Sequence, residues 1–106
     1  MPQTPYANVL RGASDDIVAF HRNRTELVDS YGRSGTTNSA ADKKDYVVVL
    51  RPDEWPRMDN DTRIAWAKKQ VKEDPRLNYV RAPLGCVQWD DNSYFFFGLV
   101  GNDETN

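Results

Sequence analysis

The feature that most constrains this fold is an apolar hairpin near the end of the chain. Two strand-like runs, 86–90 and 94–100, flank Asp91–Asn92, a pair that tolerates positive φ and favours a tight turn. The simplest pairing across this turn places Trp89 opposite Tyr94. One face of the hairpin then carries Leu84, Cys86, Phe95, Phe97 and Leu99, and the other face carries Val87, Trp89, Tyr94 and Phe96.

Both faces of this predicted hairpin are apolar, whereas a sheet with one face in water alternates polar and apolar residues. One explanation is that a helix covers each face, so that all these side chains are core. The other is that both helices lie on the Phe95 and Phe97 side, which leaves Trp89, Tyr94 and Phe96 for a partner. Interfaces use Trp and Tyr disproportionately, and a homodimer across this face would account for the pattern equally.

Two amphipathic segments predict helices. The first spans 15–31, where Ser14 is a candidate N-cap and acidic residues fill the first turn. The second begins near Asp59 or Asp61, either of which can cap, and ends at about Glu73 before a proline. Both helices have an apolar stripe that can pack on a sheet.

The remaining segments predict strands and loops. The β-branched run 46–50 does not alternate with polar residues, which predicts a central strand, and 77–82 predicts another strand. We predict one α+β domain of 106 residues, with two helices packed on a mainly antiparallel sheet of about four strands, in the order α-β-α-β-β-β. Residues 1–12 are expected to form an irregular lead-in, 32–45 a mobile loop and 101–106 a polar tail.

The composition and the motifs exclude several kinds of chemistry. Cys86 and His21 are the only cysteine and histidine, too few for a zinc site, and no phosphate-binding loop or nucleophile elbow is present, so we expect no metal or cofactor. A lone cysteine fits a reducing, cytoplasmic compartment, and no apolar run approaches the ~20 residues that span a bilayer. A net charge of −2 argues against nonspecific binding to nucleic acid.

Three side chains lie at unexpected positions on the predicted helices. Arg24 falls inside the apolar stripe of the first helix and His21 borders it, so both point the same way. In one interpretation they are a cationic pair that binds a phosphate or carboxylate. In the other, His21 is a boundary residue and the Arg24 side chain extends past the core to the surface. Trp66 lies opposite the stripe of the second helix, where either the N-terminal segment or the Trp55–Pro56 turn packs over it or another protein binds it.

The lack of a catalytic constellation favours a protein-binding module of the cytoplasm over an enzyme. It would act by covering a partner's surface, as small inhibitors, antitoxin- or immunity-like proteins and phage accessory proteins do. An acidic module of this kind would most naturally approach a basic surface. The expected anchors are Trp66, Trp89, Tyr94 and Phe96, with Arg24 and His21 as secondary contacts.

Two alternative functions remain open. The first is a small nuclease or phosphotransfer-type enzyme that uses His21 and Arg24. The second is a nucleic-acid-binding module, in which Arg81 would lie beside exposed Tyr94 and Phe96.

Overall fold

A computed structural model describes residues 3–31, 43–79 and 82–101. Its elements are β1 (Gln3–Arg11), α1 (Asp16–Tyr31), β2 (Tyr46–Val48), a 3₁₀ turn (Trp55–Arg57), α2 (Asn60–Glu73), β3 (Leu84–Asp90) and β4 (Ser93–Gly101). The strands form one sheet in the order β1-β4-β3-β2. Strand β4 is antiparallel to both β1 and β3, and β2 is parallel to β3. The predicted α+β class, with two helices on a mainly antiparallel four-stranded sheet, is confirmed.

The membership of the sheet differs from the prediction at two places. The predicted lead-in 1–12 contains β1, a nine-residue edge strand, because an edge tolerates a proline such as Pro5. The predicted strand 77–82 is not one in its described part, since the chain there turns after Asp74, whose C=O accepts hydrogen bonds from the N–H groups of Leu77 and Asn78. The described part of the predicted loop 32–45 is residues 43–45, and residues 102–106 of the predicted tail lie outside the described residues.

Strand β2 lies at an edge of the sheet rather than at its centre. It pairs with β3 over only three residues, and Val48 is 57% exposed. The β-branched run was a misleading signal because Val47 and Val49 pack into one core and Tyr46 into the other. Apolar residues on both faces are therefore compatible with a partly covered edge strand.

Both helices begin at an aspartate that accepts a backbone hydrogen bond. In α1 the Asp15 carboxylate accepts from Val18 N–H at 2.8 Å, so the cap is Asp15 and not the predicted Ser14. In α2 the Asp59 carboxylate accepts from Thr62 N–H at 2.7 Å, which confirms the first of the two predicted caps. The helix ends close to the predicted positions.

A β-bulge in the β3–β4 hairpin reverses the faces predicted for half of its residues. Asp90 lies opposite Ser93 as expected, but Trp89 is left unpaired and Gln88 lies opposite Tyr94. An extra residue on one strand shifts every later pair by one, and each side chain then meets a different neighbour. One face consequently carries Val87, Trp89, Phe95 and Phe97, and the other carries Leu84, Cys86, Tyr94 and Phe96.

Each face of the sheet is covered by one helix. The α2-face core consists of Trp55, Ala67, Val71, Leu77, Val87, Trp89, Phe95 and Phe97. The α1-face core consists of Leu10, Ala13, Ala19, Phe20, Leu84, Cys86 and Phe96. Of the two explanations for the apolar hairpin, the structure therefore agrees with the first.

Candidate functional site

The aromatic residues predicted to dock a partner are mostly core residues. Trp89 is 6% exposed and Phe96 is 0% exposed, and the bulge places them on opposite faces. Tyr94 is half-buried and packs against the α1-face core. A docking anchor needs an accessible side chain, so the expected Trp89–Tyr94–Phe96 surface is wrong, because one helix packs over each face.

Trp66 is half-buried among other aromatic rings. Its ring centre lies 5.4 Å from that of Trp55 and 6.0 Å from that of Phe97, both with edge-on geometry. The turn that contains Trp55 therefore packs against Trp66, which is one of the explanations left open by the sequence. A role for the remaining exposed part of Trp66 in partner binding stays a prediction.

Arg63 holds this aromatic cluster together. Its guanidinium lies 4.4 Å from the ring centre of Trp55 and 4.9 Å from that of Trp89. It also donates a 2.8 Å hydrogen bond to the backbone carbonyl of Trp55, whose indole N–H donates to the carbonyl of Trp89 at 3.1 Å. The cation thus joins the 3₁₀ turn to the end of β3, so we assign it a structural role.

His21 and Arg24 lie one turn apart on α1, as predicted. His21 is exposed with its ring edge-on to Phe20 at 6.1 Å, and Arg24 is half-buried. Across the described residues, no three His, Cys, Asp or Glu side chains come together in a group that could hold a metal ion. Roles of His21 and Arg24 in binding or catalysis stay predictions, and Arg81 lies outside the described residues.

An apolar groove of about 250 Å³ opens between α2 and the β1 side of the sheet. It is lined by residues of three elements: Pro5, Tyr6 and Ala7 in β1, Ile64, Ala67, Lys68, Val71 and Lys72 in α2, and Phe97, Gly98 and Leu99 in β4. Helix α2 packs chiefly on β4, and the short side chain of Ala7 leaves space over β1. We call this cavity the β1 groove.

The β1 groove lies beside a backbone edge that is unpaired among the described residues, where β1 pairs with β4 alone. Proline has no N–H, and within a sheet its nitrogen faces away from the neighbouring strand, as we infer for Pro5. Successive residues of a strand direct their backbone polar groups to opposite sides, so Ala7 and Val9 also direct theirs outward. Beyond the end of β1 this alternation stops, and the N–H groups of Gly12 and Ala13 both donate to the carbonyl of Asn92, at 2.8 Å and 2.9 Å.

Two lysines give the groove a positive border. Lys68 and Lys72 are exposed, lie one helical turn apart, and follow the same flank of α2 beside the apolar lining. Within the described part of the chain, neither lysine forms an ion pair. The site can therefore hold apolar side chains in its floor and carboxylates at its border.

The sequence alone did not indicate this groove because β1 was not recognised as a strand. The signal that could have found it is weak: Pro5, Ala7 and Val9 alternate with Tyr6 and Leu10, and each set contributes to one face. The two prolines near the start of the chain mask this alternation.

Comparisons with protein-family models, with curated proteins and with solved structures found no match. None of the helices in the described residues has the length and apolar character needed to cross a membrane.

Proposed function

We propose that this protein is a binding module that captures an extended, acidic segment of another protein at the β1 groove. The observation that carries the proposal is that an apolar groove lies directly beside an unpaired strand edge. A segment added to β1 would form backbone hydrogen bonds with the outward groups of Ala7 and Val9. Its alternate side chains would enter the groove, which is the usual division of labour in strand addition.

The size of the groove favours side chains over a complete small molecule. Ligand pockets usually have volumes of about 300–1,000 Å³, and a cavity of about 150 Å³ accepts one benzene. A groove of about 250 Å³ therefore suits one aromatic or two aliphatic side chains of a longer chain. The strand edge then supplies the additional contacts that these few side chains do not provide.

The local charge favours carboxylates near those apolar side chains. The chain carries a net charge of −2, which at long range favours a basic partner. Charges act mainly within about 8–10 Å at physiological salt, so Lys68 and Lys72 dominate at the groove. Binding here would act by occupying the partner's segment, as an inhibitor or an antitoxin-like, immunity-like or phage accessory protein does. The free thiol of Cys86 fits a cytoplasmic setting for this protein.

The experiment is a titration of the ¹⁵N-labelled full chain with a peptide of repeated Val-Thr-Glu-Thr, which places its valines and glutamates on the same face of an extended strand. We expect dose-dependent shifts of the amide signals of β1, including Ala7 and Val9, and of the α2 residues at the border. The matched peptide with lysine in place of glutamate should bind far more weakly. Methylation of alternate peptide nitrogens should abolish binding, because those nitrogens can no longer donate to β1.

Two variants separate the contributions of charge and strand edge. Lys68→Glu/Lys72→Glu should weaken binding roughly tenfold, because two exposed pairs of about 0.2–1 kcal/mol each become repulsive. Ala7→Pro should weaken binding by removing an outward N–H that the sheet does not use. Arg57→Glu/Lys69→Glu, an equal charge change at two exposed positions outside the groove lining, is the matched control and should bind normally.

Three results would overturn the proposal. The first is an absence of signal changes at millimolar peptide. The second is a set of changes that spares both β1 and α2. The third is equal affinity in the wild type and in both the edge and the charge variants.

A further inference from the structure

The opposite edge of the sheet carries large aliphatic side chains that nothing in the described residues covers. Leu50 is 87% exposed and Val48 is 57% exposed, and both follow Tyr46 on the α1 face of β2. The ring of Tyr46 lies 4.8 Å from that of Phe20, and its hydroxyl donates to Asp16 at 2.7 Å. The first turn of α1 therefore reaches this edge but stops short of Val48 and Leu50.

Within residues 3–31, 43–79 and 82–101, no strand pairs with the backbone of β2 along this edge. Val49 N–H donates to the carbonyl of Cys86 at 2.8 Å, and the carbonyl of Asp45 accepts from Leu84 N–H at 3.3 Å. The odd-numbered residues on either side of β2 thus direct their polar groups towards β3. By the alternation of a strand, Val48 and Leu50 direct theirs outward. Arg51, which precedes a proline, is biased to the extended conformation that continues this edge.

The segment 45–51 is complementary to itself. When two copies lie antiparallel with Val48 opposite Val48 of the second copy, Tyr46 lies opposite Leu50 and Val47 lies opposite Val49. In the same register Asp45 lies opposite Arg51 of the second copy, and this charge pair occurs twice because of the two-fold symmetry. Both side chains are exposed at this edge.

The neighbouring registers that keep the same groups outward lose this complementarity. When the register is shifted by one step in one direction, Leu50 lies opposite the exposed Lys44 of the second copy, and a shift in the other direction places Asp45 opposite Asp53. Both shifts lose the pair between Asp45 and Arg51. Like charges directly opposite each other destabilise a strand pair. The charge pattern therefore selects the register centred on Val48.

We propose that two copies of this protein associate through their β2 edges, antiparallel about Val48, and form one continuous eight-stranded sheet. The pairing covers the aliphatic side chains of Val48 and Leu50 and satisfies their outward backbone groups. It leaves both β1 grooves at the far ends of the sheet, so it does not depend on the function proposed for the groove. The contact is short, so we expect a reversible dimer whose population rises with concentration.

The test is the mass of the full chain by sedimentation equilibrium from micromolar to millimolar concentration. We expect the mass to rise from that of the monomer, 12.2 kDa, towards twice that value. Arg51→Asp and Asp45→Arg should each weaken self-association roughly tenfold, because each replaces two attractive pairs by two repulsive ones. Arg57→Asp, an equal charge change at another exposed position, should associate like the wild type.

Mixing the two interface variants provides the decisive measurement. In an equimolar mixture, the Asp45→Arg chain carries arginine at positions 45 and 51, and the Arg51→Asp chain carries aspartate at both. In the heterodimer each arginine therefore lies opposite an aspartate, and all four charges form attractive pairs. We expect the mixture to recover a heterodimer close to the strength of the wild-type dimer, which a simple folding defect in either variant would not allow. A monomer at millimolar concentration overturns the proposal, as does a dimer that Arg51→Asp does not weaken or a mixture that does not recover.

Discussion

The bulged hairpin makes a specific prediction about Gly85 and Phe97. In the structure these residues lie opposite each other, and a Cβ atom added to Gly85 would lie 2.5 Å from Cε2 and 2.6 Å from Cζ of Phe97. The Phe97 ring is 1% exposed and packs against Trp66 and Phe95, so it has little room to move. Overpacking of a core costs about 1–3 kcal/mol, and the entropy gained by replacing glycine offsets about 0.4–1 kcal/mol of it.

Gly85→Ala should therefore lower the free energy of unfolding by about 1–2 kcal/mol, which corresponds to a thermal midpoint lower by roughly 5–10 °C. Phe97→Leu should cost about 1–2 kcal/mol by itself through lost apolar area. In the double variant the shorter leucine leaves room for the new methyl group. The double variant should accordingly lose clearly less than the sum of the two single losses, with a coupling of about 1 kcal/mol.

The assay is urea unfolding of the wild type, both single variants and the double variant, followed by tryptophan fluorescence. Gly98→Ala is the control, because its Cβ atom would lie 3.1 Å from Cδ2 at the end of the Leu84 side chain. Its loss of stability should be smaller than that of Gly85→Ala and independent of the Phe97 substitution. Without the bulge, Phe97 would lie opposite Cys86, and Gly85 would not contact the ring. Strict additivity between Gly85→Ala and Phe97→Leu would thus refute the bulged register.

Three further predictions concern the α1-face core and the helix cap. Burial raises the pKa of the Cys86 thiol from 9.0 to about 12, so the unfolded chain loses this proton at a lower pH than the folded chain. The free energy of unfolding should therefore fall as pH rises above about 9, by about 1.4 kcal/mol at pH 10 in urea titrations. An equally rapid thiol reaction in the native and denatured protein would contradict the burial. Asn23→Ala should lower the free energy of unfolding by about 1–3 kcal/mol in the same assay. The buried amide of Asn23 accepts a hydrogen bond from the Asn8 amide at 2.6 Å and donates one to the Tyr6 hydroxyl at 3.1 Å, and the variant loses both. An unchanged unfolding midpoint would show that water replaces these hydrogen bonds. Asp59→Ala should melt at a lower temperature than Asp59→Asn, which keeps an acceptor for Thr62 N–H, and equal melting temperatures would argue against the cap.

Local signals predicted the helices well because their causes are local. The cap at Asp59, the stop before Pro75 and the apolar periodicity of α1 depend on residues within a few positions of each other. The same reasoning predicted a strand over 46–50 and a turn at Asp91–Asn92, both of which lie near the observed elements. The fold class follows from these elements together with the apolar hairpin.

The predicted binding residues failed for a reason that local patterns do not contain. The bulge at Trp89 lies in a sheet where β4 pairs with both β1 and β3, and it decides which face each aromatic side chain occupies. Trp66 was recognised as unusual, but its contact with Trp55 depends on how the 3₁₀ turn folds back onto α2. The β1 groove likewise exists only because a strand from the start of the chain pairs with one from its end.

By itself, the sequence determined the positions of the helices, the turn between β3 and β4, and the need to bury two apolar faces, because each depends on neighbouring residues and on composition. Only the tertiary structure decided which strands form the edges, which face receives each aromatic ring, and where space remains. These properties arise from pairings between distant segments, whose register a single inserted residue can change. The surfaces proposed for binding, the β1 groove and the β2 edge, both belong to this second group.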